Sequence, residues 1–98
     1  ISVYKISIDG SFMSVKIPDC TAKNGYICVA KNFRKDNCGV FVCPDSNVLY
    51  GFTEGLELIS GFPLVGYGIP AFADVNGDRS LDCITLSIDN KLNAWNLR

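Results

Sequence analysis

Apolar and polar residues alternate over short stretches of this chain and never settle into a helical spacing. Residues 2–8 read S-V-Y-K-I-S-I, and residues 11–17 read S-F-M-S-V-K-I. Further short runs rich in Val, Ile, Phe, Tyr and Thr fall at 26–30, 40–43, 48–52, 56–59, 69–73, 82–88 and 92–96. Between them stand turn-forming groups: Asp9-Gly10, Asn24-Gly25, Pro44-Asp45-Ser46-Asn47, Glu54-Gly55, Gly61-Phe62-Pro63, Asn76-Gly77 and Asp89-Asn90. No window places apolar residues at i, i+3, i+4 and i+7 over three turns, so no amphipathic helix is expected. Strand-like runs punctuated by turns at this spacing predict an all-β fold.

The pattern also repeats. Shifted by 43 positions, Ser46-Asn47-Val48-Leu49-Tyr50-Gly51-Phe52 falls on Asp89-Asn90-Lys91-Leu92-Asn93-Ala94-Trp95. Phe41-Val42 then falls on Ile84-Thr85, and Gly25-Tyr26-Ile27 on Gly68-Ile69-Pro70. A partial third copy opens the chain, with Val3-Tyr4-Lys5-Ile6 resembling Leu49-Tyr50-Gly51-Phe52. A period of roughly 40–50 residues holding four strands is the signature of a β-propeller blade. The expected organisation is two four-stranded antiparallel blades at 11–52 and 56–96, with 2–8 as a strand of a neighbouring blade. The corresponding segments are 1–9, 10–53 and 54–98. A blade with two apolar faces cannot bury them alone, so the chain reads as a segment of a larger propeller, or as one that self-associates. Small residues (Gly66, Gly68, Ala71, Ala73) suit crowded strands, and Phe52 and Trp95 suit the gaps between sheets.

Composition narrows the function classes. The 98 residues are 48% hydrophobic and 19% charged, with a formal net charge of −1. That balance fits one globular domain at most and supplies no electrostatic basis for binding nucleic acid. The apolar runs are too short to span a bilayer. Histidine is absent, which removes imidazole as a base or metal ligand. Five cysteines, at positions 20, 28, 38, 43 and 83, cannot all pair within one chain. Cys28, Cys43 and Cys83 sit in apolar runs and read as small core residues, whereas Cys20 and Cys38 sit in polar loops and form the preferred pair if one exists.

The second half carries a family resemblance. Ser60-Gly61-Phe62-Pro63-Leu64 is followed by Ile69-Pro70-Ala71-Phe72-Ala73-Asp74-Val75-Asn76-Gly77-Asp78. Leu81-Asp82-Cys83-Ile84 and Asp89-Asn90-Lys91-Leu92-Asn93-Ala94-Trp95-Asn96 complete the series. This order resembles one repeat of the FG-GAP (VCBS-like, integrin-α-type) β-propellers of secreted and surface bacterial proteins. The resemblance covers 49–97, and the first half shares only its closing strand. It implies an extracellular, cell-surface or periplasmic setting. Any targeting signal would then lie outside this segment.

The chemistry is concentrated in Asp74-Val75-Asn76-Gly77-Asp78-Arg79-Ser80-Leu81-Asp82. Side-chain oxygens at relative positions 1, 3, 5 and 9 match what Ca2+ demands, six to eight hard oxygen ligands. Asp74, Asn76, Asp78 and Asp82 are the candidate side-chain ligands, and Ser80 is a candidate through its backbone carbonyl. An EF-hand is excluded because Arg79 and Thr85 stand where its Gly and Glu are required. The family resemblance implies glycine at position 6 of the loop, so Arg79 is a departure. The alternative is a metal-free hairpin held by Asx-turn hydrogen bonds. Lys31, Arg34 and Lys35 read as a solvated loop face. Trp95 and Tyr50, conceivable sugar platforms, read as core.

No nucleophile–base pair or paired carboxylates at glycosidase geometry stand out, so no catalytic residue is assigned. The expected function is therefore a non-catalytic, calcium-stabilised propeller segment acting as a scaffold or a protein- or glycan-binding surface. The competing readings are part of a propeller enzyme (hydrolase, lyase or quinoprotein-like) and an accessory propeller of a peptidase or adhesin.

Overall fold

A computed structural model describes residues 1–18, 23, 25–34, 37–44 and 47–96. Among these residues the fold is all-β, with no helix and only antiparallel pairing. The strands are β1 (Ser2–Ile6), β2 (Phe12–Lys16), β3 (Tyr26–Arg34), β4 (Asn37–Cys43), β5 (Val48–Thr53), β6 (Leu64–Val65), β7 (Tyr67–Ala73), β8 (Asp82–Leu86) and β9 (Leu92–Asn96). They form a hairpin β1-β2, a four-stranded sheet β3-β4-β5-β6 and a three-stranded sheet β7-β8-β9.

The middle sheet is the centre of the molecule because both its faces are apolar. Phe41, Cys43 and Leu49 point to one side, where they pack with Ile59, Phe62 and Cys83, flanked by Phe72 and Trp95 of the three-stranded sheet. Val42 and Phe52 point to the other side and pack with Val3 and Ile17 of the first hairpin. Strand alternation explains the split, since neighbouring residues in a strand face opposite sides. One rim of Phe41 lies against Phe72 at a centroid distance of 4.6 Å. Gly51 makes this packing possible: a Cβ there would come within 2.9 Å of Phe41.

A polar relay ties the third sheet to the second. The Trp95 indole N–H donates to Thr85 Oγ1 at 2.9 Å, and the Thr85 hydroxyl donates to the Val65 carbonyl at 3.0 Å. Gly66 follows Val65 directly, and a Cβ at Gly66 would lie 2.9 Å from the Thr85 side chain. The seam therefore requires the glycine at this position. Phe52 and Trp95 do occupy the spaces between sheets, as their sequence positions suggest.

Several expectations need correction. The strands divide as two, four and three, not as two sheets of four and a single strand. Residues 12–16 pair with β1 and do not open the middle sheet. The run at 56–59 contributes only a bridge between Phe52 and Leu58, while the outer strand of the middle sheet is Leu64–Val65. Lys31, Arg34 and Cys38, read as loop residues, lie on strands: β3 and β4 run on as far as the Arg34–Asn37 pair. Among the described residues no disulfide joins Cys28, Cys38, Cys43 and Cys83. Cys20, Asn24, Lys35, Asp45 and Ser46 lie outside the described residues.

Candidate metal centre

The acidic loop joins β7 to β8, the first two strands of the third sheet. Its path is fixed by backbone hydrogen bonds to its own carboxylates. Asp74 Oδ1 accepts from the N–H groups of Gly77 (2.8 Å) and Asp78 (3.2 Å), and Asp74 Oδ2 accepts from Arg79 (2.8 Å). Asn76 Oδ1 accepts from the Asp78 N–H, and Asp78 Oδ1 accepts from the Ser80 N–H. Asp82 Oδ2 reaches back to the N–H of Val75 at 3.0 Å, pinning the start of the loop to its end. Two residues adopt left-handed backbone conformations to close this path, Gly77 (φ 80°) and Arg79 (φ 68°).

Three of the five sequence-assigned residues converge through their carboxylates. Asp74, Asp78 and Asp82 each present an oxygen, and these oxygens lie within 4.8 Å of one another. Two ligands of one Ca2+ at about 2.3–2.6 Å are separated by at most about 5 Å, so the spacing fits a shared cation. Asn76 and Ser80 lie in the same loop, where Asn76 is exposed and Ser80 is engaged through its N–H.

Asp82 gives the cluster its chemical character. It is 2% exposed, and its Oδ1 has no hydrogen-bond partner among the described residues. Burying a carboxylate oxygen without a partner is costly, and a cation among the three carboxylates would offset that cost. The residues therefore fit a hard divalent ion. Asp74 is held below the ordinary aspartate range chiefly by the Arg79 N–H, with those of Gly77, Asp78 and Asn76 adding to it against a smaller opposing effect of burial. A carboxylate kept ionised in this way is suited to ligating a cation.

The hairpin β8-β9 beside this loop has a counterpart that the 43-residue comparison missed. Shifting by 80 positions lays residues 2–16 on residues 82–96, so Ile6-Ser7-Ile8-Asp9-Gly10 falls on Leu86-Ser87-Ile88-Asp89-Asn90. The backbone bonds of the two turns match. Ser7 N–H donates to Ser11 C=O and Gly10 N–H to Ser7 C=O, as Ser87 does to Lys91 and Asn90 to Ser87. Gly10 and Asn90 share a positive φ, 87° and 67°. The sequence signal was the shared I/L-S-I-D-G/N, visible only when the ends of the chain are compared directly.

Among the described residues, no helix is long and apolar enough to cross a membrane. No family model matches the chain, and no curated protein or solved structure matches it.

Proposed function

We propose that this chain is a calcium-stabilised, non-catalytic β-blade module, a scaffold segment of a β-propeller in an extracytoplasmic protein whose outer surfaces bind protein or glycan. The observation that carries the reading is the buried, unpartnered Asp82 Oδ1 beside the carboxylates of Asp74 and Asp78. In this reading Asp74, Asp78 and Asp82 ligate Ca2+ directly, and Asn76 and the Ser80 carbonyl complete the oxygen set. The ion would be structural: it neutralises converging carboxylates and locks the β7-β8 connection. Extracellular modules bind calcium at about 10⁻⁴–10⁻³ M, a range matched to a loop with a strained Arg79. The stacked arrangement supports the blade assignment. The middle sheet is covered on both faces, while the outer surfaces keep exposed Tyr4, Ile6 and Phe12 at one end and Leu86 and Leu92 at the other. Apolar faces of this kind are what further blades would cover.

Thermal unfolding in calcium, magnesium and chelator tests the assignment. Ligand at one to ten times its Kd, the range that 1 mM calcium spans for such a site, adds about 0.4–1.4 kcal/mol to stability. Millimolar calcium should raise the Tm by several degrees, magnesium should do so less, and Asp78→Ala should abolish the response. An unchanged Tm at 10 mM calcium, about ten times the weakest Kd expected, would leave the metal-free hairpin as the correct description.

A further inference from the structure

The two equivalent hairpins differ in one respect. β8 has β9 on one edge and β7 on the other, whereas among the described residues β1 has only β2. The hydrogen-bond parity of β1 follows from its ends. Ile1 and Ile17 exchange backbone bonds, as Ser7 does toward Ser11, so the odd residues of β1 face β2. The N–H and C=O groups of Ser2, Tyr4 and Ile6 therefore point off the open edge. Their equivalents, Asp82, Ile84 and Leu86, are the β8 residues that stand opposite Ala73, Ala71 and Tyr67 of β7. An open edge of this kind is a template for an added strand.

A second observation lies at the same place. A cavity of about 240 Å3 opens between β1 (Ser2, Val3, Tyr4) and the middle sheet (Tyr26, Ile27, Val42, Cys43 and Pro44 among its walls). In the third sheet, the side chain opposite Cys83 is Phe72, which fills the gap to the middle sheet and packs on Phe41. The residue equivalent to Cys83 is Val3. A strand laid on β1 as β7 lies on β8 would set one aromatic side chain opposite Val3, against this cavity.

We propose that the open edge of β1 is a binding site for an antiparallel extended peptide of the pattern small–aromatic–small. Its small residues stand opposite Ser2 and Tyr4, and its aromatic side chain enters the cavity. Affinity comes from backbone bonds to Ser2, Tyr4 and Ile6, and specificity from the pocket, the division of labour usual for strand addition. The site does not depend on the metal loop.

The test is an NMR titration of the full ¹⁵N-labelled chain with the synthetic peptide Tyr-Gly-Ile-Pro-Ala-Phe-Ala, a copy of β7. Saturable shifts are expected at the amides of Ser2, Tyr4 and Ile6. The peptide copy carrying Phe72→Ala should bind at least about tenfold more weakly, because the cavity stays empty. In the protein, Tyr4→Pro removes an outward N–H without touching the β1-β2 ladder, and it should abolish the shifts. Shifts confined to β8 would mean strand exchange and would overturn the proposal. So would binding indifferent to both substitutions, or no shift at millimolar peptide. A dimer in light scattering that Tyr4→Pro dissociates and the peptide fails to disrupt would make a second copy the occupant and overturn it as well.

Discussion

The backbone N–H of Arg79 donates to the Asp74 carboxylate at 2.8 Å from a left-handed conformation, φ 68°. Holding a non-glycine residue there costs about 1–2 kcal/mol. The bond it makes is also the largest of the effects that hold Asp74 below the ordinary aspartate range. Arg79→Gly keeps the N–H, removes the strain and removes a cation from the loop. Part of the gain is lost to the greater freedom of glycine in the unfolded chain. The expected net stabilisation is up to about 1 kcal/mol, a few degrees in Tm, with tighter calcium binding. Melting curves of the two proteins with and without calcium check both effects.

Asp82 should behave oppositely in the two conditions. Without metal, Asp82→Asn removes one of three converging charges while keeping an acceptor for the Val75 N–H, and stability should rise by about 1 kcal/mol. With calcium it removes a ligand, and the variant should be the less stable protein. Denaturant titrations in chelator and in calcium would show the order of the two midpoints reversing. The same order in both conditions would count against a cation at this site.

Acid should weaken the fold through its turn aspartates. Asp74 is lowered chiefly by the Arg79 N–H, Asp9 by the Ser11 hydroxyl and Asp89 by the Ser87 hydroxyl, all from an ordinary value of 3.8. A group whose pKa is lower folded than unfolded contributes stability that is complete above the unfolded value. That stability is lost as pH falls through the folded value. The Tm should therefore hold steady above about pH 5 and fall progressively below about pH 4. Asp74→Asn should flatten this slope by lowering the neutral-pH plateau toward the acid value, because the neutral amide lacks the contribution the ionised carboxylate makes above about pH 5.

The seam between the sheets depends on a single hydroxyl. Thr85 accepts from Trp95 and donates to Val65, so it satisfies two groups at once. Thr85→Val keeps the shape that faces Gly66 but orphans the indole N–H and the carbonyl. Leaving buried partners unsatisfied costs about 1–3 kcal/mol each. We expect Thr85→Val to destabilise by about 2–4 kcal/mol in chemical denaturation, and Trp95→Phe, which removes one donor and some volume, by less.

The turns and the acidic loop were legible in the sequence because they are local. Asp9-Gly10, Asp89-Asn90 and the D-x-N-G-D run encode their own hydrogen bonds, and the structure makes those bonds. Sheet membership was not legible. Residues 12–16 and 64–65 are apolar on faces that suit either neighbouring sheet, and nothing within a strand says which edge it joins. Lys31, Arg34 and Asn37 are polar in the sequence and show no apolar alternation, so the continuation of the hairpin to the Arg34–Asn37 pair is set by pairing alone. The burial of Asp82 was equally hidden, since it depends on the loop folding back over β8.

Cys83 offers a way to read the loop from within the core. It is fully buried, and burial together with the nearby Cys28 pushes its thiol up to about 12. At pH 8 only about one molecule in ten thousand would carry the thiolate, the form that reacts. Labelling by a disulfide reagent must therefore wait for opening of the seam, and its rate tracks the population of the open state. Cys83 directly follows Asp82, so whatever holds the loop also holds the thiol. Calcium should slow labelling of Cys83 by the factor that matches its stabilisation of the fold, and chelator should restore the faster rate. Cys38, only half-buried on the β4 strand, should react at a rate that calcium changes far less. Mass spectrometry of labelled peptides over time separates the two sites. Equal protection of Cys83 with and without calcium would mean that the loop and the seam open independently.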